Sequence, residues 1–252
     1  MKLKRLFMDV ETTPNLIYSW RTGAKQYISW ESIVAERQLC SLAWAWNDGP
    51  IEAIPWMHGW GEKADKRIAE KAMELWRDAD EIVGHNIQKF DANWLRTRAV
   101  FHRLGAMPDV KLVDTLRMAR SRFFFNSNTQ DYISRYLNGK AKLHTDFQLW
   151  KDVMAGDQKA LARMVRYNKR DVSLLRQMYK RMEPYCLPST HAGVLDDRPR
   201  WSCPYCGSMR VKVDKKRATA VGYVKYQMYC HHCQKFYTVA ESVYKTYQEA
   251  KA

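Results

Sequence analysis

Apolar runs and amphipathic stretches alternate along the chain from Leu3 to Val113. A short apolar run bounded by turn residues predicts a strand, and apolar residues spaced three and four apart predict a helix. The turn Asn47-Asp48-Gly49-Pro50 makes the two strands around it a hairpin. The predicted strands are 3–10, 39–46, 51–56, 81–84 and 110–113, and the predicted helices are 62–78 and 88–104.

The pattern from Val113 to Glu183 is mostly helical, and Gly139 and Gly156 divide this region into separate helices. The predicted order is therefore βββαβαβ, followed by helices. That order predicts an α/β domain with a mixed sheet flanked by helices, which we place at residues 1–183.

The composition changes after Glu183. Proline, glycine and aspartate cluster at 184–200, which predicts a linker. The sequence then predicts a small module at 201–240 and a C-terminal tail at 241–252. Short strands of the module are predicted at 210–214, 222–229 and 235–239.

The 252-residue chain has an ordinary folded composition, with 46% hydrophobic and 27% charged residues. Its apolar runs are shorter than the ~18 residues of a membrane-spanning helix. Only Leu6, Phe7 and Met8 separate the first basic residues from Asp9, which is too short for the apolar stretch of a signal peptide. We therefore expect a cytoplasmic protein that does not enter a membrane.

Positive charge exceeds negative charge, with 42 Lys and Arg against 27 Asp and Glu and a net charge of +15. Residues 198–252 hold 11 basic and 3 acidic side chains, so this short segment alone carries +8. Such an excess favours a polyanionic partner, above all nucleic acid, over a merely solvated cationic surface.

Several acidic residues lie at the ends of predicted strands and helices. Asp9 and Glu11 end the first strand, where alternation puts them on the same side. Two such close carboxylates repel each other unless a cation lies between them. Asp91 lies just inside the predicted helix that follows a strand, and Tyr167 and Asp171 share one helical face because they are four residues apart. Each feature is common by chance when it stands alone.

Taken in order, these residues resemble the Tyr-containing branch of the DEDD exonuclease superfamily over about residues 1–183. Segments 112–116 and 131–140 look like connecting segments of the exonuclease domains of family B DNA polymerases. The chain is also similar to small standalone exonucleases, often phage-encoded, in which case the compartment would be the host cytoplasm. The resemblance rests on Asp9-x-Glu11, Asn86-x-x-x-Phe90-Asp91 and Tyr167-x-x-x-Asp171.

The resemblance implies an RNase H-like fold and hydrolysis with two divalent ions. It implies that Asp9 bridges both ions, that Glu11 and Asp171 complete the site on the nucleophile side, and that Asp91 holds the ion on the leaving-group side. Hard oxygen ligands select Mg²⁺ or Mn²⁺. A phenol with a pKa near 10 is a poor base at neutral pH, so we expect Tyr167 to orient the attacking water.

The segment before Asp91 contains two secondary candidates for catalytic residues. His85 and Asn86 precede Asp91 in the same segment. For His85 we expect a buried structural role rather than a catalytic one.

Two aromatic segments have two interpretations each. Segment 15–37 carries Tyr18, Trp20, Tyr27 and Trp30, which we expect to pack onto the domain rather than to stack on bases. Segment 123–125 is a run of three phenylalanines flanked by Arg120, Arg122 and Asn126. We expect it to be an exposed loop, because three consecutive rings cannot all face one core.

Four of the six cysteines form two Cys-x-x-Cys pairs separated by 23 residues. In a chain without a secretory signal, this spacing favours metal binding over disulfides and predicts a zinc ribbon with one structural Zn²⁺. The predicted ligands are Cys203, Cys206, Cys230 and Cys233. Cys40 and Cys186 have no spaced partners, and we expect them to be buried thiols.

The cysteine module also contains basic and tyrosine residues that suit phosphate contacts and base stacking. We expect it to capture the substrate, and docking of a replication or repair protein is the alternative. The residues concerned are Arg210, Lys212, Lys215, Lys216, Arg217, Lys225, Tyr223, Tyr226 and Tyr229.

The sequence therefore predicts a two-metal 3′→5′ exonuclease that acts on single-stranded DNA and carries a zinc ribbon for binding. An RNA-trimming exoribonuclease on the same fold is the first alternative. A nucleic-acid-binding accessory protein without catalysis is the second, and the complete set of five candidate residues argues against it.

Overall fold

The structure is a computed structural model, and it divides the chain into two compact units. The first unit is Arg5–Tyr179, and the second contains Lys180–Ala252. Glu62, the first residue of a predicted helix, lies outside the residues that the structure describes. The described residues are 3–20, 22–23, 27–57, 60–61 and 63–252.

The first unit is built on a mixed five-stranded sheet in the order β5-β4-β1-β6-β7. β1 pairs in parallel with β6, and β6 with β7, whereas β4 is antiparallel to both β1 and β5. A separate small sheet pairs β2 with β3. The strands are β1 Arg5–Thr12, β2 Leu16–Ile17, β3 Ile33–Ala35, β4 Leu39–Trp46, β5 Glu52–Pro55, β6 Glu81–Gly84 and β7 Lys111–Asp114.

The predicted strands and helices of this unit are confirmed, with shifted ends. β1 continues to Thr12 because Glu11 and Thr12 still pair with β4. Gly139 ends α4 with a φ of 64°, and Gly156 lies between α5 and α6. The helices are α1 Lys66–Asp78, α2 Asp91–Phe101, α3 Thr115–Arg122, α4 Gln130–Asn138, α5 Phe147–Met154 and α6 Gln158–Met182.

The alternation of β1 explains how the sheet is covered on both faces. Leu6, Met8 and Val10 point into the main core, where the Trp76 indole of α1 donates to Met8 Sδ at 3.2 Å. Phe7 points to the other face and contacts the Tyr179 ring of α6, with ring centroids 5.5 Å apart. Asp9 and Glu11 share the face of Phe7, so the fold turns both carboxylates towards α6.

The second unit contains a three-stranded antiparallel sheet in the order β10-β9-β8. Segment 184–200, predicted as a linker, contains α7, and the Ala192 N–H donates to Pro204 O at 2.9 Å. Most of the predicted tail 241–252 is helix α8. The bounds are α7 Ala192–Leu195, β8 Val211–Ala218, β9 Val224–Cys230, β10 Phe236–Ala240 and α8 Glu241–Glu249.

The helices of the described residues are all too short or too polar to cross a membrane.

Candidate functional site

Three of the predicted acidic residues come together at the end of β1. Asp9 and Glu11 reach the site from β1, and Asp171 reaches it from α6. One carboxylate oxygen of each lies within 4.8 Å of the other two. We call these three residues the acidic cluster. The spacing is short enough for one cation to contact all three side chains.

Asp91 lies beside the acidic cluster. It is the first residue of α2 and is buried, and its Oδ1 accepts a hydrogen bond of 3.0 Å from the Val10 N–H of β1. This bond ties the start of α2 to the strand between Asp9 and Glu11. The Asp91 charge also raises the pKa of Asp9. The site therefore brings together all four predicted carboxylates.

A hydrogen-bond chain holds the Asp9 side chain in place. Asn168 of α6 donates from Nδ2 to Asp9 Oδ2 at 2.7 Å, and Ser41 Oγ donates to Asn168 Oδ1 at 2.8 Å. Both partners are fully buried. Asn168 was missed by the sequence analysis, although a signal existed: it lies three residues before Asp171 and so shares its helical face.

Burial raises the pKa of every carboxyl group in the site, and repulsion between these groups adds to the rise for Asp9 and Glu11. Burial and the neighbouring carboxylates raise the pKa of Asp9 well above its usual value. The same two causes raise the pKa of Glu11 to about 8. Burial raises the pKa of Asp91 to about 7 and also raises the pKa of Asp171. Without cations, ionisation of all four carboxyl groups is unfavourable. This is expected of a site that binds divalent metal ions.

Lys142 supplies the nearest positive charge. Its Nζ lies 2.6 Å from Asp171 Oδ2 and 5.6 Å from the centre of the Tyr167 ring. Burial lowers the pKa of Lys142, but the charges of Asp171 and Asp9 outweigh burial and raise it, so the amine stays protonated. The sequence analysis did not identify this residue, because it lies in a segment without regular structure, far from Asp171 along the chain.

Tyr167 lies at the edge of the same site. Its ring meets the Trp150 ring edge to face at 6.4 Å, and the Trp150 indole donates to Thr12 O at 3.1 Å. Burial and the charges of nearby carboxylates raise the pKa of Tyr167 above its usual value. The hydroxyl therefore stays protonated at neutral pH and can donate a hydrogen bond.

A cavity of about 640 Å³ opens beside Asp9, and its lining includes Lys142 and Arg120. His85 and Asn86 also line it, so both secondary candidates reach the site. Thr115 Oγ1 donates to Gly84 O, so it accepts from His85 Nδ1 at 3.0 Å. Burial lowers the pKa of His85 to about 4, and the ring is neutral at neutral pH.

The prediction that the aromatic residues of segment 15–37 pack onto the domain is wrong. Tyr18, Trp20, Tyr27 and Trp30 are each at least 77% exposed. β2 and β3 have two and three residues, so the small sheet offers little surface against which four rings could pack. Arg21 and residues 24–26 of this segment lie outside the described part of the chain.

The prediction of an exposed phenylalanine loop is confirmed for the middle ring. Phe124 is fully exposed, whereas Phe123 and Phe125 stack on each other at 5.3 Å.

The second unit brings the four predicted cysteine ligands together, with all their Sγ atoms within 4.8 Å. Cys203 Sγ lies 3.5 Å from Cys233 Sγ, and Cys206 Sγ lies 3.7 Å from Cys230 Sγ. Four sulfurs around one zinc at ~2.3 Å would be about 3.8 Å apart, whereas a disulfide would need ~2 Å. Cys40 is buried as predicted, but Cys186 is only half-buried, so that prediction is wrong.

The two cysteine pairs have the same backbone geometry. In the first, the Cys203 N–H donates to Ser208 O and the Gly207 N–H donates back to Cys203 O. In the second, Cys230 makes the matching bonds with Lys235 and Gln234. Gly207 and Gln234 both have positive φ, which turns each chain sharply under its cysteine pair.

Both sites fit metal ions by the chemistry of their donors. The acidic cluster offers only hard oxygen ligands, which suit Mg²⁺ or Mn²⁺, and the cysteine site offers four sulfurs, which suit zinc. Asp171 Oδ1 is buried and accepts no hydrogen bond from the described residues, so it is available as a ligand.

A family model described as RNase_H superfamily matches residues 43–183, which include Asp91, Tyr167 and Asp171. The fold is similar to that in the structure of the family B DNA polymerase from the hyperthermophilic archaeon Pyrobaculum calidifontis, with a TM-score of 0.53 and 17% sequence identity. This similarity covers 72% of the chain and 25% of the polymerase chain, so the chain spans about a quarter of that protein's length. Curated protein sequences include no match to this chain.

Proposed function

Because the chain belongs to the RNase H superfamily, we propose that it is a metal-dependent exonuclease that hydrolyses the phosphodiester bonds of nucleic acid from the 3′ end. The observation that carries this proposal is the acidic cluster, whose three carboxylates lie within 4.8 Å of one another with Asp91 beside them. A folded protein keeps such a group of mutually repelling carboxylates when bound cations neutralise them, and cations held there can in turn bind an anionic substrate.

The residues that would hold the catalytic ions are Asp9, Glu11, Asp91 and Asp171. Two bound divalent ions supply an activated water and neutralise the charge that develops on the phosphate and on the leaving oxygen. The chain itself keeps Asp9 oriented through Asn168 and ties Asp91 to β1 through the Val10 N–H. Both contacts fix ligand positions before any ion binds, which lowers the cost of assembling the site.

Tyr167 is proposed to position the attacking water. Its raised pKa keeps the hydroxyl protonated, so it can donate a hydrogen bond but cannot act as a base. The Trp150 ring restricts the motion of the phenol ring. Lys142 adds a fixed positive charge next to Asp171 and lines the cavity in which the end of the substrate is proposed to lie.

Single-stranded DNA is the proposed substrate. This choice rests on the resemblance of the motifs to exonuclease domains of family B DNA polymerases. The cysteine module is proposed to be a zinc ribbon, with Zn²⁺ stabilising its fold. Its excess of basic residues supports a role in binding the substrate.

A labelled oligonucleotide tests the proposal. With full-length protein and Mg²⁺ or Mn²⁺, single-stranded DNA labelled at its 5′ end should give a ladder of progressively shorter products. The same strand labelled at its 3′ end should lose the label at once as a mononucleotide. The Asp9→Asn variant, purified in the same way, serves as the control, because hydrolysis that is lost in this variant belongs to the protein itself and not to a contaminating nuclease.

Each of the other outcomes favours a different function. Degradation of RNA but not of DNA with the same sequence would make the protein an exoribonuclease. Internal cleavage would contradict the exonuclease assignment. Tight binding without hydrolysis with either metal would favour the non-catalytic accessory protein.

A further inference from the structure

The strand register gives the sheet of the second unit two different faces. Val211 pairs with Cys230 and Val213 pairs with Met228, and these residues point into the core around the cysteines. Lys212 lies between the two valines and pairs with Tyr229, so both point to the opposite side. We call that side the outer face.

An irregularity in β8 keeps further cations on the outer face. The register shifts between Val213 and Lys215, so Lys215 pairs with Gln227 and Arg217 pairs with Lys225. Regular alternation would have turned Lys215 and Arg217 to the side of Val213, but the extra residue reverses their direction. Lys216 pairs with Tyr226 and points to the core side instead.

The outer face is therefore basic and partly aromatic. Lys212, Lys215, Arg217 and Lys225 are all exposed. Phe236 of β10 pairs with Tyr229, which places its ring on the same face, where it is 51% exposed. The bulge residue Asp214 is the acidic group here, and its carboxylate accepts a hydrogen bond from Gln227 at 2.8 Å.

The core side of the same sheet is covered by α8. The Tyr244 ring of α8 stacks on Tyr226 at 3.6 Å, and the Tyr247 ring packs against Trp201 at 5.4 Å. A helix thus occupies one side, and the exposed cations and the Phe236 ring occupy the other.

We propose that the outer face binds single-stranded nucleic acid, with phosphates at Lys212, Lys215, Arg217 and Lys225 and with a base stacked on Phe236. The proposal rests on the proposed function only in taking nucleic acid as the ligand. Outer-face residues along a strand are about 6.8 Å apart, which is close to the separation of successive phosphates in an extended strand. An exposed ring selects unpaired bases, because the bases of a duplex are already stacked on one another.

Two neighbouring lysines provide a matched test. Lys215 and Lys216 are adjacent, exposed and equal in charge, but they point to opposite sides of the sheet. The experiment measures binding of a fluorescent oligothymidylate at several salt concentrations. It uses the full-length Asp9→Asn protein with zinc and without Mg²⁺, so that no hydrolysis interferes.

Lys215→Gln should reduce the slope of log affinity against log salt by about 0.7, the value for one lost phosphate contact on a single strand. Lys216→Gln should leave the slope unchanged. Replacing all four outer-face cations with glutamine should reduce the slope by about 3. Equal effects of Lys215→Gln and Lys216→Gln would overturn the proposal, because binding would then depend on overall charge rather than on one face.

Phe236→Ala tests the stacking contact separately. It should weaken binding of the single strand roughly 5- to 100-fold and leave binding of a duplex unchanged. An equal loss for both ligands, or no loss for either, would overturn the stacking role. Zinc content of one ion per chain and an unchanged melting temperature show that each variant is folded.

The outcomes for this face and for the nuclease assignment are separable. If wild-type protein hydrolyses DNA while Lys215→Gln and Lys216→Gln bind alike, only the inference about the outer face fails. If the face behaves as expected while no hydrolysis occurs with any metal, only the proposed function fails.

Discussion

Lys142 Nζ lies 2.6 Å from Asp171 Oδ2, so a cation that belongs to the chain already contacts one of the proposed metal ligands. Its charge also lowers the pKa of Asp9, Glu11 and Asp91. Lys142 thus relieves part of the repulsion within the acidic site, and it would compete with a divalent ion bound at Asp171.

Lys142→Met should lower the Mg²⁺ concentration needed for half-maximal hydrolysis several-fold. The substitution removes the competing cation and leaves the Asp171 carboxylate buried and uncompensated, which favours its neutralisation by a metal. The measurement is a Mg²⁺ titration of the initial rate. Lys140→Met is the matched control, because Lys140 is exposed and contacts Gln177 instead. A higher Mg²⁺ requirement for Lys142→Met would show that the ammonium supports metal binding.

Asp9→Asn should abolish hydrolysis and leave the fold largely intact. The amide keeps an oxygen that can accept the hydrogen bond from Asn168, but it removes the charge at the centre of the acidic cluster. The rate should fall by several orders of magnitude, as expected for loss of a principal metal ligand. Circular dichroism and thermal melting check the fold. Turnover near that of the wild type would contradict the assignment of this site.

Tyr167→Phe should reduce kcat roughly 10- to 1000-fold, the range for one positioned hydrogen bond. The ring and its contact with Trp150 remain, and only the hydroxyl is lost. The Mg²⁺ titration should therefore match that of the wild type. If the variant instead required much more Mg²⁺, Tyr167 would act on the architecture of the metal site, and its role in orienting water would be wrong.

The raised carboxyl pKa values predict a pH-dependent response to Mg²⁺. The pKa of Glu11 is raised to about 8, and the pKa of Asp91 is raised to about 7. A carboxyl group whose pKa is higher in the folded state contributes stability below its unfolded value, about 4, and loses that contribution as pH rises through the folded value. Protein that holds zinc but no Mg²⁺ should therefore become less stable between about pH 5 and pH 8.

Mg²⁺ should reverse this loss, because it binds the ionised carboxylates in competition with protons. Melting curves should show a larger stabilisation by Mg²⁺ at about pH 8 than at about pH 6. Glu11→Gln should shrink the difference. Equal stabilisation at both pH values would contradict the raised carboxyl pKa values.

The sequence predicted those site residues that depend on local geometry. Strand alternation placed Asp9 and Glu11 together, and helical spacing placed Tyr167 and Asp171 together. Lys142 could not be predicted in this way, because an irregular segment of the chain carries it to Asp171. Its position depends on tertiary packing, which no periodic pattern records.

The same limit applies to the outer face of the second unit. The alternation of the sequence would place Lys212, Asp214 and Lys216 on one side of β8, but the register shift places Lys212, Lys215 and Arg217 there. A bulge depends on the pairing of two strands, so the pattern of one strand does not reveal it. The prediction that Trp20 packs onto the domain was wrong for a similar reason. An aromatic residue is buried only where the fold offers it a surface, and Trp20 is exposed.

Zinc should be needed for the fold of the second unit but not for the chemistry of the first. The core around Trp201 and Met228 is small, and four of its buried or partly buried members are the cysteines of the metal site, namely Cys203, Cys206, Cys230 and Cys233. A core of this size seldom folds without a metal or a disulfide. All five catalytic candidates lie within Arg5–Tyr179.

Cys230→Ser should therefore lose the zinc, detected as less than one ion per chain by elemental analysis. The KM for single-stranded DNA should rise and its salt dependence should become shallower, because the basic surface that is proposed to contact phosphates is no longer formed. The value of kcat should change less than KM, since a binding surface away from the reacting phosphate contributes equally to the ground state and the transition state. Cys40→Ser is the control, because Cys40 lies outside the zinc site. If Cys230→Ser lost zinc and kept the KM and salt dependence of the wild type, the module would not contact the substrate, and docking of a protein partner would better explain its basic residues.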